Sequence, residues 1–388
     1  MGIHEKKFAI VTDQLAGGIG GAESITFGAA ELMNHADIYT TVCDYKILPE
    51  NIKDQGVKTS FIQKLPLAQK LYKAYLPLMP IAIEYLNLQE YDVIFSSHHC
   101  VAKGIISRPD AAHLCYCHSP ARYIWDLFWT YSELNKSGEF KKLLSFFLCH
   151  YLRMWDVTSS NRVDYFIANS GYTAARIKKF YNRESEILFP PVETEKFNYS
   201  ESEDFYLMAS RMVAYKRFDL AIQAFNESGK NLVIIGDGAE YKKLKAMAKP
   251  NVLMLGKVSS EKLINYMNRC KGFVFPGKED FGIVMAEAQA AGKPVIAYRE
   301  GGASDIVKNR ETGILFEKQS VNSLNNAIRE AELIQWDYKR ISQHAEQFNT
   351  KKFISRLDYL FKNAHQLLST VTGKNFSCTG TSYTAPKK

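Results

Sequence analysis

The sequence predicts an α/β protein of two doubly wound domains, each a parallel sheet with helices on both faces. Short apolar runs alternate with amphipathic segments along most of the 388 residues. The alternation stops at Pro190-Pro191 and then begins again. This pattern is typical of parallel sheets that are buried on both faces. At about 100–200 residues per domain, the length also fits two domains.

The first block is predicted to hold five strands with helices between them. Its first strand ends at a glycine-rich turn, and Asn169 or Ser170 can cap the helix after the last strand. The predicted strands are Phe8–Thr12, Ile38–Cys43, Tyr91–Ser96, Ala112–Cys115 and Tyr165–Ala168, and the predicted helices are Ala22–His35, Val101–Ile106, a helix from about Ala121, and Phe140–Val157.

The second block follows the polar run Asn198–Asp204, which is predicted to be a linker. Its predicted strands are Phe205–Ala209, Leu232–Ile235, Val252–Leu255, Gly272–Phe275 and Pro294–Ala297, and its helices are Phe218–Phe225, Glu240–Ala248, Glu261–Asn268 and Ile283–Ala291. We therefore predict an N-terminal domain at 1–198 and a second domain at 199–350. A helix at 351–370 is predicted to return to the first domain, before a disordered tail at 371–388.

The composition is that of an ordinary globular protein, with 46% hydrophobic and 23% charged residues, which excludes a disordered or collagen-like chain. The net charge of +8 favours anionic partners such as nucleotide phosphates, lipid head groups or nucleic acid. Seven cysteines without a CxxC pair predict buried, reduced thiols in a cytoplasmic protein. We see neither a signal peptide nor the about 18–20 apolar residues that a transmembrane helix needs.

The strongest candidate site follows the predicted strand that ends at Phe275. Glu279 lies in the loop, Gly282 opens the next helix, and Glu287 lies inside that helix. Free N–H groups at a helix start hold phosphate, and carboxylates accept hydrogen bonds from sugar hydroxyls. The alternative is that these acids stabilise the helix dipole, which would explain Asp280 but not Glu287.

A second candidate site follows the first strand of the second domain. Arg211 and Lys216 both precede the helix there, where two fixed cations oppose the helix dipole. A pyrophosphate would relieve that cost. The alternative is an exposed basic loop.

Histidines also follow predicted strands of the first domain. His118 follows the strand that ends at Cys115, and His98-His99 follow the strand before it. Ligands of doubly wound folds bind at the carboxyl ends of the strands, so these histidines are candidates to line the site. The alternative is that they are structural residues.

These motifs together resemble the retaining GT-B glycosyltransferases of family 4. The resemblance runs from about Phe8 to Phe316 and implies two Rossmann-like domains facing a central cleft, the first binding the acceptor and the second binding the nucleotide-sugar. The run Tyr116–Asp126 resembles a subgroup that includes mannosyltransferases of bacterial polysaccharide assembly. The other motifs that carry the resemblance are Glu279-x7-Glu287, Ser210-Arg211 with Lys216-Arg217, Gly301-Gly302, and the first loop Gly17–Glu23.

The resemblance also implies roles for individual residues. Arg211 and Lys216 would neutralise the leaving diphosphate, Glu279 would hold donor-sugar hydroxyls, and Glu287 would hold the ribose. His118 would face the donor sugar from the opposite domain and is the remaining catalytic candidate. Further donor-binding residues would be Gly18, where acceptor and phosphate approach the backbone, Gly256 and Val258 beside the base, and Phe281, Gly282 and Ile283 at the helix start, with Gly236-Asp237-Gly238 as a supporting turn.

We therefore expect a retaining glycosyltransferase that moves a sugar, with mannose from GDP-mannose as the expected donor, to a glycan or polyprenyl-diphosphate-linked acceptor. No Asp-x-Asp pair occurs in the sequence, so we expect no metal cofactor, and we expect no nucleic acid partner. One alternative is a nucleotide-sugar epimerase of the same shape, although the Ser210–Arg217 loop argues against it. Another is a non-catalytic sugar- or anion-binding module, which would leave the paired glutamates and cations without a purpose.

The segment Phe61–Leu86 combines apolar and basic residues. Such a segment can lie in a membrane interface, so we expect contact with anionic lipid at the inner face of the plasma membrane. The alternative is a helix packed in the first domain. The predicted apolar face comprises Phe61, Ile62, Leu65, Leu67, Leu71, Leu76 and Leu78, and the predicted cations are Lys64, Lys70 and Lys73.

Overall fold

The computed structural model describes residues 6–18, 20–129 and 139–367. Within these ranges the chain forms two parallel sheets with helices between the strands, which confirms the predicted fold class. The tail predicted at 371–388 lies outside the described residues.

The first sheet has the strand order β3-β2-β1-β4-β5-β6-β7, and β1 pairs in parallel with both β2 and β4. Its strands are β1 (Phe8–Thr12), β2 (Asp37–Thr40), β3 (Val57–Thr59), β4 (Val93–His98), β5 (Ala112–Cys117), β6 (Tyr165–Ala168) and β7 (Ser185–Ile187). The helices of this part are α1 (Gly21–Leu32), α2 (Glu50–Gln55), α3 (Ala68–Leu71), α4 (Met79–Glu84), α5 (Glu139–Ser160) and α6 (Gly171–Tyr181).

The second sheet has the order β10-β9-β8-β11-β12-β13. Its strands are β8 (Tyr206–Ala209), β9 (Leu232–Ile235), β10 (Val252–Gly256), β11 (Gly272–Phe275), β12 (Val295–Tyr298) and β13 (Gly313–Phe316). The helices of this part are α7 (Phe218–Ser228), α8 (Tyr241–Met247), α9 (Ser260–Arg269), α10 (Ile283–Ala290), α11 (Ala303–Ile306), α12 (Val321–Glu332), α13 (Tyr338–Ala345) and α14 (Thr350–Lys362).

The apolar strands of the second sheet supply a separate core on each of its faces. Leu207 and Ala209 of β8 enter one core, while Tyr206 and Met208 enter the other. Successive side chains of a strand point to opposite faces, so a continuous apolar run fills both cores. This is why these strands are recognisable in the sequence.

Contacts along the chain divide the protein into two compact units. The first unit holds the chain up to Tyr116, Ala121–Phe166, and the chain from Leu357 onward. The second holds Cys117–Pro120 and Ile167–Arg356. The residues between 167 and 198, which the sequence analysis places in the first domain, therefore group with the second unit.

Packing explains where these segments belong. The ring of Phe189 stacks on that of Phe281 at 5.6 Å, and the Val192 N–H donates to the Phe348 carbonyl at 2.8 Å within the second unit. In the first unit, the ring of Phe361 from α14 packs against Phe8 and Phe95 at 6.2 and 5.2 Å.

Several predicted elements differ from the structure. The helix predicted at Val101–Ile106 is a single 3₁₀ turn, Ala102–Gly104, and residues 122–127 form turns where a helix was predicted. The short outer strands β3 and β7 were not predicted, because residues such as Lys58 and Glu186 interrupt their apolar pattern. The preference of residues for strands depends strongly on their surroundings, so it predicts such short edge strands poorly.

The segment Phe61–Leu86 forms short helices in the first unit. The predicted apolar face is wrong at Ile62, whose side chain is fully buried in the core. Leu65 and Leu76 are partly buried against core residues. Leu67, Leu71 and Leu78 are exposed, as are Lys64, Lys70 and Lys73. No helix of the described ranges is long and apolar enough to cross a membrane.

A buried ion pair joins α5 to the turn after β4. Lys103 Nζ lies 2.8 Å from Asp156 Oδ1 and also donates to Ser159 Oγ at 2.7 Å. The indole N–H of Trp125 donates to the other Asp156 oxygen at 2.8 Å. Both charged side chains are almost fully buried, so the loss of either one would remove a charge partner from a buried ion.

Lys103→Met should therefore lower the free energy of unfolding by about 3–5 kcal/mol, as measured by urea unfolding. Lys141→Met, at an exposed position of α5, is the matched control and should change it by less than about 0.5 kcal/mol. Equal effects of the two substitutions would contradict the assigned role of the buried pair.

Candidate functional site

Two loops lie side by side at the carboxyl edge of the second sheet. The first, Ser210–Arg217, follows β8 and is called the cationic loop; the second, Pro276–Gly282, follows β11 and is called the acidic loop. Strands β8 and β11 are parallel neighbours, so both loops leave the same edge of the sheet. This is the edge at which doubly wound folds bind ligands.

An ion pair joins the two loops. Lys216 Nζ lies 2.7 Å from Glu279 Oε1, and the side chains are only 15% and 17% exposed. Lys216 also donates a hydrogen bond to Ser210 Oγ. The pair therefore holds one cation and one carboxylate at a fixed position above the strand ends.

Glycines allow the backbones of these loops to approach closely. A Cβ on Gly277 would lie 2.6 Å from the Lys216 Cα, and a Cβ on Gly301 would lie 2.3 Å from the Glu279 carbonyl oxygen. The Gly302 N–H donates to that carbonyl at 3.0 Å. Any larger residue at 277 or 301 would separate the ion pair from its supports.

A glycine turn supports the cationic loop from the β9 side. A Cβ on Gly236 would lie 1.9 Å from the Ser210 carbonyl oxygen, and a Cβ on Gly238 would lie 2.4 Å from that of Met212. The Met212 N–H donates to the Asp237 carbonyl at 2.8 Å. The turn that the sequence analysis describes as supporting thus packs directly on this loop.

Arg211 lies in the cationic loop, directly after Ser210. Its side chain is exposed and has no hydrogen bond or ion pair with any residue that the structure describes. The neighbouring Arg217, by contrast, pairs with Asp219 at 3.1 Å. Arg211 therefore offers a guanidinium that no described residue pairs with, on the same loop as Lys216.

Glu287 lies in α10, among apolar residues. No described residue forms a hydrogen bond or ion pair with its carboxyl group. Burial, and secondarily the charge of Glu193, raises the pKa of Glu287 to about 7. A carboxyl group in this state can both accept and donate hydrogen bonds near neutral pH.

The start of α10 depends on Gly282. Its φ is +97°, a left-handed conformation that favours glycine, and a Cβ there would meet the Met285 side chain at 2.2 Å. Phe281 is buried and stacks on Phe189, so a donor-binding role at this position would fall to its backbone. Ile283 is partly buried against the same core.

Asp280 contacts residues outside its own loop. Its Oδ1 accepts a hydrogen bond from Ser119 Oγ at 3.0 Å, and its carbonyl accepts one from Ser170 Oγ at 2.6 Å. These contacts tie the acidic loop to the chain that follows β5. Neither contact was predicted from the sequence, because the partners are more than 100 positions apart.

His118 lies immediately after β5. Its carbonyl accepts hydrogen bonds from Asn169 Nδ2 at 2.9 Å and Thr173 Oγ1 at 3.3 Å, which fix its backbone. Contacts group Cys117–Pro120 with the second unit, so His118 belongs to the same unit as Glu279, whereas the sequence analysis places it in the first domain.

The remaining predicted donor-binding residues are distributed over both units. Gly256 ends β10 with a φ of +70°, and Val258 packs partly buried against the core of the second unit. Gly18 belongs to the first unit. It has a φ of +110°, and no atom lies within 4 Å of the position that a Cβ would take.

An aspartate–histidine pair lies at the carboxyl ends of β1 and β4. Buried Asp13 accepts N–H groups of His99 at 2.6 Å, Cys100 at 3.0 Å and Ala102 at 2.6 Å, and its Oδ2 lies 2.9 Å from His99 Nδ1. Burial alone would raise the pKa of Asp13, but His99, His98 and the backbone donors lower it below its usual range. Asp13 directly follows the first strand, a signal that the sequence analysis did not use.

The two neighbouring histidines differ in access to solvent. The His99 side chain is 35% exposed. Although burial acts to lower the pKa of His99, the Asp13 charge and hydrogen bond raise it overall. His98, within β4, is fully buried, so the expectation that it lines a ligand site is wrong.

The raised pKa of Glu287 predicts a distinct pH dependence of stability. Between the ordinary value of 4.5 and about 7, the folded protein keeps a proton that the unfolded chain has lost. This contribution to the free energy of unfolding therefore falls as the pH rises through that window. Glu287→Gln should remove it, so that the variant gains stability relative to wild type from pH 4.5 to 7 in urea unfolding.

Glu332→Gln is the control of opposite sign. Burial acts to raise the pKa of Glu332, but hydrogen bonds from Lys230 and Lys271 lower it overall. The contacts of Glu332 with the two lysines therefore stabilise the wild-type protein at pH values above the pKa that Glu332 has in the unfolded chain. This advantage of wild type over Glu332→Gln is lost as the pH falls. Parallel pH profiles of wild type and Glu287→Gln would contradict the assignment of Glu287.

One family of proteins has a sequence model that matches a large part of the second half of the chain. The sequence model of the family described as "Glycosyl transferases group 1" matches residues 191–348. This match covers the cationic loop, the acidic loop and Glu287.

Individual relatives extend beyond this segment. An uncharacterized glycosyltransferase of Methanocaldococcus jannaschii is 29% identical over 52% of this chain and 58% of its own length. The GDP-mannose-dependent alpha-(1-6)-phosphatidylinositol monomannoside mannosyltransferase of Mycobacterium tuberculosis is 28% identical over 42% of this chain and 50% of its own. The chain thus spans about half the length of these two relatives. The alpha-1,3/1,6-mannosyltransferase of Saccharomyces cerevisiae is 24% identical over 82% of this chain and 74% of its own.

Solved structures share the fold over nearly the whole chain. Sucrose-phosphate synthase of Thermosynechococcus elongatus has a TM-score of 0.70 at 17% identity, covering 94% of this chain and 100% of that one. HepE of Anabaena, in complex with UDP-glucose, has a TM-score of 0.60 at 17% identity, covering 95% and 100%. The protein therefore has the GT-B fold, and its residues 191–348 are similar to the glycosyl transferases group 1 family.

Proposed function

We propose that the protein is a retaining glycosyltransferase that moves mannose from GDP-mannose to a glycan or polyprenyl-diphosphate-linked acceptor. The observation that carries this proposal is the placement of Arg211, Lys216 and Glu279 on two adjacent loops at the carboxyl edge of the second sheet. One cation is unpaired, and the other is paired with a carboxylate that a sugar can engage.

The donor diphosphate would bind at the cationic loop. Arg211 has no partner among the described residues, so a diphosphate can bind it without breaking an existing pair. Lys216 would exchange part of its contact with Glu279 for a phosphate oxygen. Glu279 could then accept hydrogen bonds from sugar hydroxyls, and Glu287 could do the same for the ribose diol.

Transfer would follow from stabilisation of the leaving diphosphate. The bond between the donor sugar carbon and the phosphate oxygen breaks, and negative charge grows on that oxygen beside Arg211 and Lys216. In the proposed front-side attack, the acceptor hydroxyl bonds to the same carbon from the same face. Its proton passes to the leaving phosphate, so configuration is retained and no protein base is consumed.

The other predicted residues would contact the donor sugar, the base and the acceptor. His118, with its backbone fixed by Asn169 and Thr173, would contact the donor sugar. Gly256 and Val258 would lie beside the base, and Gly18 would let the acceptor approach the backbone. The diphosphate charge is met by side chains in this scheme, so no metal ion takes part in it.

The names of two relatives support mannose as the transferred sugar. Two of the relatives described above are named mannosyltransferases, and one of those names specifies GDP-mannose. HepE, with a similar fold, was solved with UDP-glucose, so UDP-glucose is the appropriate competing donor.

A peripheral position at the cytoplasmic face of the plasma membrane belongs to the same proposal. Exposed Leu67, Leu71 and Leu78 accompany exposed lysines on one segment. Helix α5 adds the exposed Leu144 and Phe147 in the same unit. Apolar side chains among cations are typical of surfaces that contact anionic lipid.

Donor binding and product formation test the proposed function together. GDP-mannose should raise the Tm of the purified protein more than UDP-glucose or ADP-glucose does, since a ligand of the native state stabilises it. With a polyprenyl-diphosphate-linked glycan as acceptor, mannose transfer should persist in EDTA. A rearranged donor sugar without a glycosidic product would indicate an epimerase, and binding without any reaction would indicate a binding module. Magnesium-dependent activity would contradict the metal-independent scheme.

Lys216→Ala should lower kcat by about 10²–10³ and donor affinity by much less, because the diphosphate gains charge in the transition state. Single-turnover rates and donor Kd measure the two effects. The substitution also leaves Glu279 unpaired, so the Tm is followed in parallel. Lys242→Ala, at an exposed position of α8, is the control and should match wild type. Equal losses of rate and affinity would count against this role.

A further inference from the structure

The first unit contains a basic cavity, open to solvent at the surface, that the transfer scheme does not use. Its volume is about 560 Å³, and Lys46, Lys70, Lys73, Asp44 and Gly17 are among the residues that line it. We propose that this cavity binds the phosphate or diphosphate group of the acceptor. The identity of the ligand as an acceptor rests on the proposed function, whereas the site itself does not.

The charge of the cavity favours an anion. None of the three lysines has an ion pair with a residue that the structure describes. Asp44 is the acidic residue of the lining, and its Oδ1 accepts the Lys46 N–H at 3.1 Å. The lining therefore carries three cations and one anion. Because like charges held together repel, a bound phosphate would lower the electrostatic energy of the site.

The two sides of the cavity are fixed to each other by hydrogen bonds. Gln69 Nε2 donates to the Cys43 carbonyl at 3.1 Å. Gln63 accepts the Cys43 N–H at 2.8 Å and donates to the Cys43 carbonyl at 3.1 Å. The turn that carries Lys46 is thus held against the segment that carries Lys70 and Lys73, so the backbone positions of the three lysines keep a fixed spacing.

The glycine-rich first loop contributes backbone to the same cavity. Gly17 has a φ of +85°, and a Cβ there would lie 2.9 Å from the hydroxyl oxygen of Tyr72, another lining residue. Gly17 therefore brings the loop close to the lysine-bearing segment. Gly18, the next residue, is the position at which the acceptor is expected to approach the backbone.

The size and surroundings of the cavity fit a phosphate ester rather than a bare ion. A cavity of this volume is within the range of small-molecule sites, about 300–1,000 Å³. Leu67 and Leu71, on the lysine-bearing segment, are 64% and 46% exposed. An ester with an apolar chain can place its phosphate on the lysines and its chain on these leucines.

Pyrophosphate binding tests the site directly. The Arg211→Ala/Lys216→Ala variant of the full chain serves as background, because it removes the proposed donor-phosphate cations. Titration calorimetry with inorganic pyrophosphate should show binding to this background. Adding Lys70→Ala and Lys73→Ala should weaken that binding about tenfold or more, as expected for lost charge-assisted contacts.

The matched control adds Lys64→Ala and Lys141→Ala to the same background. These lysines are exposed, belong to the first unit and do not line the cavity, so binding should change less than about twofold. Equal weakening by both pairs, or no binding to the background, would overturn the proposal. If the Lys70/Lys73 variant does not fold, Lys46→Ala tests the opposite wall and should weaken binding by the loss of one cation.

Farnesyl diphosphate distinguishes a lipid-linked source from a soluble one. If the natural ligand carries an apolar chain, farnesyl diphosphate should bind more tightly than pyrophosphate, and Leu67→Ser/Leu71→Ser should remove the difference. Equal affinity of the two compounds would support a phosphate site for a soluble ester. The Tm measurements with GDP-mannose, UDP-glucose and ADP-glucose on the wild-type protein test the proposed function separately. Failure of the phosphate site therefore does not imply failure of the proposed function, and the reverse also holds.

Discussion

The Lys216–Glu279 pair determines the arrangement of the candidate active site. It joins the loop after β8 to the loop after β11, and both loops leave the same sheet edge. Its 2.7 Å distance requires close approach of two backbones, which Gly277 permits on one side and Gly301 on the other. A mostly buried pair of this kind is costly to break from one side only, so the loops keep a single arrangement. A diphosphate that draws Lys216 away would at the same time free Glu279 for a sugar.

The two units carry charge for different purposes. In the second unit, Arg211 and Glu287 lack partners among the described residues and are available to a nucleotide-sugar. In the first unit, Asp13 is fully satisfied by backbone N–H groups and His99, and so it orders the turn after β4. Lys46, Lys70 and Lys73, which line a cavity together with Gly17, form no ion pair with a described residue and would suit the proposed anionic acceptor.

Residues that follow strands could be predicted from the sequence, and residues that act through distant packing could not. Arg211 and Glu279 were identifiable because continuous apolar runs mark β8 and β11, and polar residues directly after such strands lie at the ligand-binding edge. The contact of Ser119 with Asp280 spans 161 positions, and no local pattern indicates it. The edge strands β3 and β7 escaped prediction because a three-residue polar strand has no apolar periodicity. Ile62 was wrongly assigned to an exposed apolar face, because that prediction assumed one continuous helix where the structure has several short ones.

The glycine contacts around the acidic loop have a consequence for protein engineering. The two loops, the Gly236–Gly238 turn and Gly301-Gly302 touch through main-chain atoms, with gaps too small for a methyl group. A change of donor specificity that replaces one of these segments would therefore alter the others. To exchange donor preference between enzymes of this fold, the four segments should be replaced together. The helices that follow these segments should be left unchanged.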